Sequence, residues 1–330
     1  MPVVLITPEE MLHRETPFVA LLREEGFEIV YPEDRTFTRG QCGDAATIKQ
    51  LGICDAIIAG GEYLSQQVLT ALPRLRVIAR AGVGYDRVDV EAATERQIPV
   101  TITPTANYEA VAEHTLALMF AIAKRVVPFD RSARTNWQRQ LTLPIRGTTL
   151  GLFGLGRIGQ AVAVRAKALN MTVIATEPFP DRPFIEQHGI QLVDLDTLLG
   201  TADYLSVHCP LTEQTQAMID HTWFERMKPG CVFLNTARGK LVVEADLIQA
   251  LNDGSLKAAG LDVFEQEPLS EDSALREMEN VVLSPHNGGE DTLSSLNMGL
   301  EAAGCIAKLH RGEWPAGCVV NDSLRDGWKW

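Results

Sequence analysis

The stretch TLGLFGLGRIG, residues 149–159, decides how the chain is read. An apolar run ends at Gly154, Gly156 and Gly159, spaced G-x-G-x-x-G, and IGQAVAVRAKALN follows with a helical pattern. In a strand-loop-helix unit the first glycine permits the tight turn and the second lets backbone approach a pyrophosphate. The third lets helix pack on strand, and the helix N-terminus faces the negative charge. Glu177 closes the next apolar run, MTVIAT, 18 residues beyond Gly159, where an acid accepts hydrogen bonds from an adenosine ribose. A carboxylate there also repels a 2′-phosphate, which favours NAD over NADP, with Arg182 nearby to soften the discrimination. This dinucleotide signature starts near the middle of 330 residues, so the first half needs its own explanation.

Upstream, VVLIT, FEIVYP, DAIIAG, LRVIARAG and IPVTITP alternate with helical patterns at about Pro17–Glu25, Ala45–Leu51, Ser65–Leu72 and Val90–Arg96. Short β-rich runs separated by helices predict a parallel sheet covered on both faces, complete before the glycine loop arrives. Downstream a second series begins: TLGLFG, MTVIAT, DYLSVHCP, CVFLNTA, AAGLDVF and NVVLSPH, six expected strands of a doubly wound domain. Long helices are expected at about 107–122 and 292–310. An arginine-rich arm reaching to about Arg146 reads as a solvated surface segment or a subunit contact, and the chain ends in a polar tail. The fold class is therefore α/β with two domains, in keeping with the length.

Composition narrows the partners. A formal charge of −13 argues against nucleic acid and anionic membrane, no apolar stretch approaches a membrane span, and the apolar start is too short for a signal peptide. Six scattered cysteines without C-x-x-C spacing read as reduced thiols, and no His or Cys pair has zinc-like spacing, so no metal is expected. A cytoplasmic protein is the expectation.

In open parallel sheets ligands bind beyond the carboxyl ends of the strands. Those ends carry Cys209-Pro210, Thr236-Ala237-Arg238-Gly239, Asp262 with Glu265 and Glu267 behind it, and His286-Asn287-Gly288-Gly289. Singly, Arg238 reads as a surface ion-pair partner, Glu267 as a solvated acid and His286 as a turn histidine. Together, on the cofactor edge, they supply a fixed cation and an acid/base for hydride transfer to a 2-oxo acid.

At this point the sequence resembles the D-2-hydroxyacid dehydrogenase family, and within it the short-form phosphoglycerate dehydrogenases. The likeness runs through RAGVGYDRVD (80–89), NYEAVAEHTLAL (107–118), GLFGLGRIG (151–159), HCPLT (208–212), NTARG (235–239), AGLDVFEQEP (259–268) and SPHNGG (284–289). It implies a Rossmann NAD-binding domain, residues 107–290, inserted into a flavodoxin-like substrate domain of residues 1–106 and 291–330, with the two long helices as a hinge over a closing cleft. It also implies roles. Arg238 orients the substrate carboxylate and polarises the 2-oxo group, His286 exchanges the proton, and Glu267 hydrogen-bonds His286, fixing its tautomer. The N–H groups of Val83 and Gly84 receive the carboxylate. Gly154, Gly156, Arg157, Ile158, Gly159, Glu177, Cys209, Pro210, Thr236, Ala237, Asp262 and Gly288 surround the NAD. A homodimer formed through the nucleotide domain, with the 125–146 arm taking part, is implied as well.

One departure bears on the substrate. Phosphoglycerate dehydrogenases typically end the third strand with a phosphate-holding arginine, whereas this chain reads IIAGGEYLS, with Gly60, Gly61 and Glu62 there and Arg80 as a cation on that side. The expected reaction is hydride transfer between NAD and a small D-2-hydroxy acid, phosphorylated or not. The alternative from another class is an NAD-sensing binding protein like the corepressors that share this fold.

Overall fold

The computed structural model describes residues 1–330 apart from the side chain of Arg35. It divides into two units, Met1–Asn107 with Glu290–Trp330, and Tyr108–Gly289. In the first, β1 (Val3–Ile6), β2 (Glu28–Val30), β3 (Ala56–Ala59), β4 (Val77–Arg80) and β5 (Val100–Thr101) form an all-parallel sheet in the order β2-β1-β3-β4-β5. The runs VVLI, AIIA and VIAR are buried from end to end, as strands covered on both faces must be.

Local chemistry sets the helix starts. The helix expected from Ser65 begins at Gln66, because the Ser65 side chain accepts the Val68 N–H as a cap. A short helix, Arg35–Thr38, capped by Asp34, lies where the sequence pattern shows none, since four residues hold too little periodicity to read. The C-terminal helix Thr292–His310 buries Met298, Ala302, Ala303, Ile306 and Leu309 against Phe18 and Val19. The final segment is less polar than expected. Trp314, Trp328 and Trp330 are half-buried against the same core, and the Trp328 indole N–H donates to the Gln97 carbonyl at 2.8 Å.

The second unit holds β6 (Thr149–Phe153), β7 (Thr172–Thr176), β8 (Gln191–Leu192), β9 (Tyr204–Val207), β10 (Cys231–Asn235), β11 (Leu256–Leu261) and β12 (Val281–Leu283). These strands are also all parallel, in the order β12-β11-β10-β9-β6-β7-β8, so there are seven and not the six expected. The extra one, β8, is a two-residue edge strand whose Gln191 is exposed, too short and too polar to register as an apolar run. The order reverses at β6, which places the glycine loop at the topological switch point. Helix Tyr108–Ala123 buries Leu118, Met119 and Ile122 in the core beneath β6 and β10. The arm that follows carries a helix, Val126–Thr135, with no buried residue. Among the described residues no helix is long and apolar enough to cross a membrane.

Candidate active site

The cofactor edge forms where β6 gives way to helix Arg157–Ala168, whose N-cap is Gly156. Gly154 sits at φ +104°, and a Cβ there would lie 2.7 Å from the His208 carbonyl carbon, so only glycine lets the loop lie against the end of β9. Gly156 faces open space. Arg157 and Ile158 start the helix, and the third glycine, Gly159, is buried against Gly154. The Glu177 carboxylate accepts the Leu155 N–H at 2.8 Å and the Phe179 N–H at 2.9 Å, which holds it beside the loop. Loop, open second glycine, helix start and acid fit a dinucleotide's pyrophosphate and ribose.

Two neighbouring groups on this edge stay uncharged. Cys209 is half-buried, and burial, helped by the charge of Glu177, pushes its thiol up to about 11. Burial also pulls His208 down to about 4, so its ring is neutral, with Nε2 2.9 Å from the Ser206 hydroxyl. Pro210 is exposed beyond Cys209. After β10, the Thr236 hydroxyl meets that of Thr115 at 2.8 Å, and the Ala237 N–H donates to Asn235 Oδ1 at 3.0 Å.

The three residues read as catalytic come together on this edge. Arg238 is fixed from behind, its carbonyl accepting the Asn235 side-chain amide at 2.9 Å while its own guanidinium donates to the Ala237 carbonyl at 2.6 Å. Gly239 follows because any Cβ there would collide with the Phe264 backbone, and that close approach brings Arg238 beside the 264–267 turn. Within that turn Glu267 Oε1 accepts the Phe264 N–H at 3.2 Å, and Oε2 lies 2.8 Å from His286 Nδ1. With Nδ1 committed to the carboxylate, His286 has Nε2 left for chemistry. Its side chain is 42% exposed against 17% for Glu267, so the ring reaches solvent while its partner is held inside.

His286 has φ +53°, unusual for a residue with a Cβ, and the turn that imposes it is anchored on Asp262. The Asp262 carbonyl accepts the His286 N–H at 2.8 Å. Its carboxylate accepts the Ser284 hydroxyl at 2.5 Å, the Asn287 N–H at 2.9 Å and the Gly288 N–H at 2.8 Å. His114 Nε2 lies 2.7 Å from the Ser284 hydroxyl and 3.3 Å from Asp262. Burial alone raises the Asp262 pKa, but the bonds from His114, Ser284, Asn287 and Gly288 outweigh it and hold the group at about 2. His114 and Ser284 lie inside quoted motifs, yet spacing gave them no role. A histidine among the apolar positions of helix 108–123 was the one available signal.

Val83 and Gly84 lie in the first unit, in the turn after β4. Their N–H groups make no hydrogen bond among the described residues.

Comparisons with known proteins identify relatives along most of the chain. Residues 116–288 match the family model described as D-isomer specific 2-hydroxyacid dehydrogenase, NAD binding domain. A glyoxylate reductase of Korarchaeum cryptofilum is 37% identical over 327 residues, 96% of this chain and 97% of that protein. A D-3-phosphoglycerate dehydrogenase of Archaeoglobus fulgidus is 40% identical over 269 residues, 80% of this chain but 51% of the relative, so the chain spans about half of that protein's length. The structure of D-lactate dehydrogenase from Aquifex aeolicus, complexed with NAD and lactic acid, superimposes with a TM-score of 0.82 at 27% identity, covering 96% of this chain and 98% of that one. The chain belongs to the D-isomer-specific 2-hydroxyacid dehydrogenase family.

Proposed function

We propose that the chain is an NAD-dependent dehydrogenase that interconverts a small 2-oxo acid and its D-2-hydroxy acid. The observation that carries this is the 2.8 Å pairing of His286 Nδ1 with Glu267 beside Arg238, on the sheet edge that bears the glycine loop. Bound NAD supplies the hydride carrier, held by Gly154, Gly156, Arg157, Ile158 and Gly159 at the pyrophosphate and Glu177 at the ribose. Cys209, Pro210, Thr236, Ala237, Asp262 and Gly288 line the rest of its site.

Arg238 orients the substrate carboxylate and polarises the 2-oxo oxygen. In reduction His286 delivers a proton from Nε2 to that oxygen, and in oxidation it takes the proton back. Glu267 fixes the ring and stabilises the imidazolium. The first unit is the substrate domain, with the Val83 and Gly84 N–H groups receiving the carboxylate.

The decisive experiment follows NADH consumption with hydroxypyruvate, glyoxylate, pyruvate, 2-oxoglutarate and 3-phosphohydroxypyruvate, with His286→Ala alongside. Turnover that falls by ~10²–10⁴ in the variant supports the proposal and ranks the acids. Tight NADH binding without turnover on any acid overturns it in favour of a sensor.

The working unit we propose is a cytoplasmic homodimer. Six free thiols suit a reducing compartment. Helix Val126–Thr135 buries none of its residues, Trp137 and Leu141 beyond it are exposed, and it borders a groove of about 800 Å³ lined also by residues 275–279 and 281–283. A monodisperse monomer in light scattering would refute the dimer.

A further inference from the structure

The first unit contains a buried acid and a buried base that the proposed chemistry does not use. Glu62, just past β3, is 1% exposed. Each of its carboxyl oxygens lies 2.9 Å from the Thr7 hydroxyl and 3.1 Å from the Gly60 nitrogen. Burial raises its pKa, against the pull of Arg80, Thr7 and the Gly60 N–H. Arg80 closes β4 and is 9% exposed. One arm of its guanidinium donates to the Gly60 carbonyl, and Nε donates to the Gly84 carbonyl at 3.0 Å.

Gly60 is thus gripped on both sides, its N–H by Glu62 and Thr7 and its carbonyl by Arg80. From that anchor Arg80 reaches the turn that follows its own strand. In this turn the Gly82 N–H donates to the Thr103 hydroxyl at 2.7 Å, and the Gly82 carbonyl accepts the Thr103 N–H at 3.0 Å. With the carbonyls of Gly82 and Gly84 both taken, the turn retains the consecutive N–H groups of Val83 and Gly84 for a ligand. Consecutive backbone N–H groups in a turn make an anion-binding concavity.

We infer that Arg80 is a positioning residue for the substrate carboxylate: by holding the Gly84 carbonyl, from an anchor that Glu62 and Thr7 fix, it keeps the Val83 and Gly84 N–H groups aimed at the anion. The inference rests on the 2-oxo acid reading above. It gives Arg80 a task other than binding phosphate. A guanidinium suits the task because its planar fork reaches two acceptors at once, which a lysine ammonium on a flexible stem does not reproduce.

The test is steady-state kinetics of Arg80→Lys and Arg80→Met on the best acid of the panel, with NADH affinity read separately by fluorescence. KM is expected to rise about tenfold or more in both variants while kcat stays within about threefold, the signature of lost uniform binding. NADH affinity should not move, because every proposed cofactor residue lies in the second unit. An Arg80→Lys protein with unaltered KM overturns the inference, since charge alone would then suffice. Should Arg80→Met fail to fold, Glu62→Ala carries the test: its KM should rise, and Glu62→Gln, which keeps an acceptor for the Gly60 N–H, should restore it. Unmoved KM in Glu62→Ala also overturns the inference. No turnover by the unaltered chain overturns the function itself, a result distinct from turnover with unmoved KM.

Discussion

The turn that carries His286 in the second unit and the turn of Val83 and Gly84 in the first both follow a parallel strand, and both are organised by a buried charge of opposite sign. Asp262 gathers donors: a hydroxyl and two backbone N–H groups end on its carboxylate. Arg80 gathers acceptors, the carbonyls of Gly60 and Gly84. A carboxylate that consumes a turn's N–H groups leaves a side chain, His286, as what that turn presents. A guanidinium that consumes carbonyls leaves N–H groups. The sign of the buried charge thus decides whether a turn presents an imidazole or backbone N–H groups.

Breaking the carboxylate should have the largest effect. Asp262→Asn keeps the shape but turns one acceptor into an NH₂ that faces a donor, either the Gly288 N–H or the Ser284 and Asn287 pair. A buried donor left without an acceptor costs about 1–3 kcal/mol, and more where the lost acceptor was charged. We expect a lower melting temperature, kcat reduced by roughly tenfold or more as His286 loses its placement, and weaker NADH binding in fluorescence titration, since Asp262 and the Gly288 it holds are also proposed to line the cofactor site. Unchanged kcat would show that the turn holds its shape without the carboxylate.

Acid should separate the two regions by sign. The Asp262 pKa is depressed to about 2, so its contribution is complete above the unfolded value near 3.8 and disappears as pH falls through 2. Nearly two pKa units, at about 1.4 kcal/mol each, correspond to roughly 2–3 kcal/mol. The Glu62 pKa is raised, so its contribution is complete at low pH and is lost as pH rises through the raised value. Hydrogen exchange across a pH series should therefore show residues 284–288 loosening below pH 4 while residues 60–62 do not. Parallel loosening of both segments would break the comparison.

Much of this was legible in the sequence, and what was missed has a common cause. The glycine loop, Glu177 and the edge bearing Arg238, Glu267 and His286 depend on local spacing and on strand ends, which apolar runs mark clearly. Strand β8 was missed because two residues with an exposed glutamine carry no period. The supports of the turns were missed for a different reason. His114 and Ser284 are 170 residues apart, and Glu62 and Thr7 55 apart, so their pairing exists only once the sheets bring strand ends together. Arg80 showed as a cation in a motif, but whether a guanidinium faces a ligand or a backbone carbonyl has no counterpart in residue order.

A volume probe tests how tightly the carboxylate clamp is closed. A Cβ on Gly288 would lie 2.8 Å from Asp262 Oδ2 and 3.3 Å from the His114 ring, so Gly288→Ala pushes on the acceptor without removing a donor. Overpacking of this kind typically costs about 1–3 kcal/mol. The melting temperature should fall by less than in Asp262→Asn, with kcat reduced severalfold. A Gly288→Ala protein as active and stable as the original would mean that the turn shifts freely over Asp262.

The gentlest probe is Ser284→Ala, which removes one donor and asks whether the clamp works as a unit. The Ser284 hydroxyl stands between two groups, donating to Asp262 at 2.5 Å and lying 2.7 Å from His114 Nε2. Its loss leaves the two backbone N–H donors in place and His114 already 3.3 Å from the carboxylate, close enough to take over the vacated acceptor directly. A single hydrogen bond to a charged group is worth about 1.5–3 kcal/mol, and such substitution by His114 would return part of it. We therefore expect about 1 kcal/mol of destabilisation in thermal melts and kcat within a fewfold of the original. The double variant with His114→Ala should lose more than the two single changes added together, because each then lacks its stand-in. Strict additivity would show that the donors act independently, and that Asp262 holds the turn through the Asn287 and Gly288 N–H groups alone.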